Sequence, residues 1–107
     1  MTNGAAQFLC VRPDGERVEV VVAIGHPYPT SEGGWACPVE IDGLHGDLAD
    51  IHGMDSLQAL CLAIRLVGER LAAFVAEGGR ILHPSTGETI ALESYFSVGG
   101  AQAQAGS

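Results

Sequence analysis

"HGMDSLQAL", residues 52–60, is the stretch whose reading decides the fold. Ser56 is either an attachment point for a prosthetic arm or merely the first residue of a helix. The first reading calls for a bundle of helices around the serine. The second calls only for a good N-cap. Asp55 supplies one, because its carboxylate can accept a first-turn N–H and suits the positive end of the helix dipole. Gln58, three residues on, can reach back to complete a capping box.

Downstream, residues 55–77 read as one long helix. Leu60, Ile64, Val67, Leu71 and Phe74 recur at helical spacing, flanked by Leu57, Cys61 and Val75. Gln58, Arg65 and Glu69 form a narrow polar stripe opposite, with Leu62 and Leu66 beside it. A wide apolar face of this kind packs on a sheet. Gly78-Gly79 ends the helix, since glycine adopts a left-handed cap without a Cβ clash. "RILH" and "ETIAL" then read as two short strands joined by "PSTG". The tail from 97 to 107 is small and polar and is expected to fray.

Upstream, the chain is strand-like. "QFLCV" (7–11) is apolar and β-prone. Pro13-Asp14-Gly15 is a turn signal. In "VEVVVAI", Val18, Val20, Val22 and Ile24 share one face and Glu19, Val21 and Ala23 the other, which makes a half-buried strand. These two strands form a hairpin. In "WACPVEI", Trp35, Cys37, Val39 and Ile41 share a face. Pro38 lacks an N–H, so this strand belongs at an edge or carries a bulge. Residues 42–53 read as a polar connector.

The order β-β-β-α-β-β defines an α+β domain over residues 1–96, with a single antiparallel sheet of about five strands and one long helix on one face. Gly53, Asp55, Ser56 and Leu57 do match the signature by which acyl carrier proteins present their modified serine. That family is all-helical, whereas Ser56 here stands between strands.

"WACPVEIDGL", "GMDSLQALCLAIRLV" and "GGRI" together resemble a family of short uncharacterised bacterial proteins, over most of residues 8–96. The resemblance implies the hairpin, the W-x-C-P strand, the D-S-x-Q-A-L helix and the glycine pair before the last strands. It implies no activity and no catalytic residue.

Composition narrows the function classes. With 107 residues the chain forms one domain with a single core. Thirteen acidic and five basic residues give a net charge of −8. Nucleic acid and anionic membranes are therefore unfavourable partners, and a basic protein is a favourable one. No run approaches the ~18 apolar residues of a membrane helix, and no secretory signal opens the chain, so a cytoplasmic location is expected. Three cysteines without C-x-x-C read as buried free thiols.

Candidate chemistry is sparse. There is no G-x-S-x-G, no phosphate-binding glycine loop and no H-E-x-x-H. His45, Asp47, Asp50 and His52 fall within eight residues and carry nitrogen and oxygen donors of the kind zinc accepts. Their spacing matches no established structural site. The expectation is no catalytic residue, no metal and no cofactor. The leading reading is a protein-binding domain, in its most concrete form an immunity- or antitoxin-like inhibitor of a basic protein. Tyr28, Glu32, Trp35, Asp42, Asp47 and Asp50 are the expected binding surface, because exposed aromatic rings anchor partners and acidic groups steer basic ones. A small metal-binding protein or enzyme using the His45–His52 loop is the alternative, with a carrier function at Ser56 behind it. Self-association through the edge strand offers a second copy as a further partner.

Overall fold

The computed structural model describes residues 2–46 and 48–96. The chain is α+β, with one long helix and two antiparallel sheets, of four and three strands. The 97–107 tail lies outside the described residues.

Strands β1 (Thr2–Val11) and β2 (Arg17–Gly25) form the hairpin. Its turn is closed by Arg12 N–H donating to Glu16 C=O at 2.8 Å, with Gly15 at φ +94° where a side chain would be strained. The Asp14 carboxylate caps the turn by accepting the Glu16 N–H. Val20, Val22 and Ile24 point to the core, as their period-two spacing requires.

β3 (Tyr28–Pro29), β4 (Trp35–Cys37) and β5 (Val39–Asp42) follow. The expected single strand over 35–41 is divided at Pro38. On one side of it, β5 pairs with β2 as the edge of a four-stranded sheet ordered β5-β2-β1-β7. On the other side, β4 is the centre of a second sheet ordered β3-β4-β6. Proline donates to no ladder, so it stands where the chain leaves one sheet for the other. Its carbonyl still accepts the Gly25 N–H at 2.9 Å.

β6 (Ile51–Gly53) completes the second sheet. Residues 42–53 are thus not all connector. Three residues cannot display an alternation long enough to be read. Gly53 belongs to β6 for a steric reason. A Cβ there would lie 2.5 Å from the Ala59 amide nitrogen, so only glycine lets this strand lie against the helix backbone.

α1 (Ser56–Ala76) is capped as its sequence requires. The Asp55 carboxylate accepts the Gln58 N–H at 2.8 Å. At the far end, Gly78 has φ +103°. Its N–H donates to Val75 C=O, and the Gly79 N–H donates to Phe74 C=O, each at 3.0 Å. This paired closure satisfies helix carbonyls that would otherwise be orphaned.

The buried face of α1 is rotated from the expected one. Ala59, Ala63, Val67 and Leu71 are fully buried. Leu57, Ile64 and Val75 are 68%, 39% and 43% exposed, and Cys61 is exposed too. Small residues let the helix approach the sheets closely, which outweighs the larger apolar area of the leucine–isoleucine stripe. Cys10 and Cys37 are buried free thiols as expected, but Cys61 is not.

β7 (Arg80–Leu82) pairs with β1 opposite Leu9–Val11. The expected last strand at 88–92 is reduced to one bridge, Leu82–Thr89. Flanking bonds join His83 N–H to Glu88 C=O and Ile90 N–H to Ile81 C=O. The chain then turns into a short helix, α2 (Leu92–Tyr95). There Tyr95 packs edge-to-face on Phe8 at 5.5 Å, and Phe96 lies over Gly68 of α1. One core joins Phe8, Cys10, the β2 and β5 apolar residues, Cys37, Ile81 and the buried stripe of α1. Each fully buried valine or leucine contributes about 1.5–3 kcal/mol.

Candidate functional site

The second sheet brings together residues that are distant in sequence. In its register Tyr28 stands opposite Ala36, and Ala36 opposite His52. Trp35 and Cys37 therefore occupy the other face, toward α1. Cys37 belongs to the core, and half-buried Trp35 packs against it.

Tyr28 is 42% exposed, and its hydroxyl donates a hydrogen bond to the Asp50 carboxylate. This bond favours the neutral phenol and holds the Tyr28 pKa above its ordinary value, with desolvation and the Asp50 charge adding in the same direction. Asp50 also acts on Cys37. Burial raises that thiol's pKa first, and the nearby negative charge raises it further. The Cys37 Sγ lies 3.4 Å from Gly25 C=O, to which it donates. A protonated, buried thiol is a poor nucleophile.

Asp50 lines a cleft of about 300 Å³ together with Glu40, Asp42, His45, Leu48 and Ile41. It opens where β5 runs into the following loop, and an isolated bridge between Asp42 and His45 shapes its rim. Among the described residues, three carboxylates and one imidazole line it, with no arginine. Exposed carboxylates in this arrangement attract cationic side chains without a large desolvation cost.

Of the expected binding residues, Asp42 and Asp50 line the cleft, and Tyr28 is tied to it through Asp50. Glu32 is exposed in the loop closed by Thr30 and Gly34 and does not line the cleft. Trp35 points to the core side. Asp47 lies outside the described residues. Of the metal candidates, His45 and Asp50 share the cleft, while exposed His52 is on β6 and outside its lining. Among the described residues no three His, Cys, Asp or Glu side chains come together as a metal-holding group. Ser56 is the exposed first residue of α1.

Glu40 and Leu48 belong to the cleft and were not singled out from sequence. The signal for Glu40 was present: Val39 and Ile41 alternate inward, so Glu40 must face out. Leu48 carried no such signal.

The fold and site define a small α+β domain with an acidic cleft at the junction of two sheets. The chain belongs to the family described as domain of unknown function DUF6968, whose model matches residues 5–92. Neither the curated proteins nor the solved structures give a match. Among the described residues no helix is long and apolar enough to cross a membrane.

Proposed function

We propose that the protein is a non-enzymatic binding domain that docks a basic partner protein through the cleft between β5 and the loop that follows it. The observation that carries this reading is the convergence of Glu40, Asp42 and Asp50 on one cleft without an arginine among its described lining residues. Tyr28 stands beside it as a half-exposed ring fixed by its bond to Asp50. Fixing the ring in advance lowers the entropy cost of using it as an anchor. The net charge of −8 speeds encounter with a cationic surface. An immunity-like inhibitor of a basic enzyme is the most concrete form of this function.

The test is affinity capture from the native cell, followed by calorimetry with the recovered partner. Asp42→Asn with Asp50→Asn should weaken binding about tenfold or more, and added salt should reduce the difference. Equal affinity of the double variant and wild type at low salt would refute the cleft as the docking surface.

A further inference from the structure

The rotation of α1 leaves an apolar stripe unused by the core. Cys61, Ile64, Gly68, Ala72 and Val75 follow one another at steps of three or four residues, so they share one helix face. This face forms one wall of a groove of about 1110 Å³. Ile81 of β7, Ile90, Leu92, Tyr95 and Phe96 supply the rest of its apolar lining. Phe96 forms part of the floor by lying over Gly68, where an added Cβ would meet its ring at 3.0 Å. From Cys61 to Val75 the helical wall runs about 21 Å. The groove is therefore long, mostly apolar and separate from the acidic cleft.

Its charges differ from those of the rest of the chain. Two of the five arginines line it, Arg65 and Arg80, against only two of the thirteen acidic residues, Glu69 and Glu93. Arg65 and Glu69 neutralise one another at 3.0 Å. Among the described residues the only other ion pair is Arg12–Glu16, so Arg80 keeps an uncommitted guanidinium. It stands just past the Gly78-Gly79 cap, at the end of the groove nearest Val75.

We propose that this groove binds a free fatty carboxylate, its alkyl chain along the α1 stripe and its head group on Arg80. The alkyl chain covers apolar surface that is otherwise wet. The guanidinium presents a fork that matches a carboxylate bidentately, and Glu93 on α2 limits but does not cancel that attraction.

Titration calorimetry with dodecanoate below its micelle concentration tests the proposal on the whole chain. Saturable one-to-one binding is expected. Arg80→Gln should weaken it about tenfold, the loss of one charge-assisted contact. Ala72→Trp should fill the groove and abolish binding while circular dichroism stays native. Absence of saturable binding, or unchanged affinity in Arg80→Gln, would overturn the proposal. So would a wild-type dimer by light scattering that Ala72→Trp dissociates, since the groove's occupant would then be a second copy. If Ala72→Trp does not fold, Arg80→Gln decides alone.

Discussion

The Asp55 carboxylate accepts the Gln58 backbone N–H at 2.8 Å, while the Gln58 side chain returns to accept the Met54 N–H at 2.6 Å. The two residues close the start of α1 from both sides, and Ser56 between them makes neither bond. Asp55→Ala should therefore destabilise the protein by about 1 kcal/mol, the ordinary cost of losing an N-cap. Ser56→Ala should change stability by less than about 0.5 kcal/mol. Urea unfolding followed by circular dichroism checks both values. A larger loss for Ser56 than for Asp55 would mean that the serine does the capping.

Gly53→Ala should cost about 1–3 kcal/mol, because its Cβ would press on the Ala59 backbone and push β6 from α1. Gly46→Ala, with open space at its Cβ position, serves as the control and should be nearly silent. Thermal melts of the two variants against wild type measure the contrast.

Alkaline pH should destabilise the protein through its core thiols. Burial raises the Cys10 pKa from 9.0 to about 11, with Arg12 pulling it partly back. The unfolded chain loses this proton first. Stability is thus intact below pH 9 and falls between pH 9 and pH 11, by an amount on the order of 2 kcal/mol for this one group. Cys10→Val should flatten the fall over that range in denaturant titrations. Cys61 is exposed and should react with a thiol reagent in the native state, while Cys10 and Cys37 react only on unfolding.

Tyr28→Phe removes the donor to Asp50. The site is exposed, so stability should change little. The readout is the phenol titration: in wild type it lies above the ordinary tyrosine range, and Asp50→Asn should lower it by removing the charged acceptor. Ultraviolet titration of tyrosinate in wild type and in Asp50→Asn, each in a Tyr95→Phe background, measures the shift.

The legible parts of the fold are those with long periods. Val20, Val22 and Ile24 disclose β2 because nine residues allow the alternation to repeat. Asp55 and Gly78 disclose the ends of α1 because capping chemistry is local. The rotation of that helix is a tertiary outcome. Ala59 is buried where Gly53 of the second sheet comes close, and no count of apolar residues on the helix contains that distance. β3 and β6, two and three residues long, are too short to show a pattern. The acidic cleft was half legible. Asp42 and Asp50 were marked by charge, but Tyr28 meets Asp50 only through β4, the strand between them.

The account rests on Pro38 dividing one strand between two sheets, since that division carries Tyr28 to Asp50 and opens the cleft beside them. A NOESY spectrum of labelled protein tests it most directly. It should show cross-strand contacts of Trp35 with Gly53 and of Ala36 with His52, together with contacts of Ile41 with Val22. A spectrum in which residues 35–42 contact only β2, with nothing between 35–37 and 51–53, would contradict the second sheet and the site built on it.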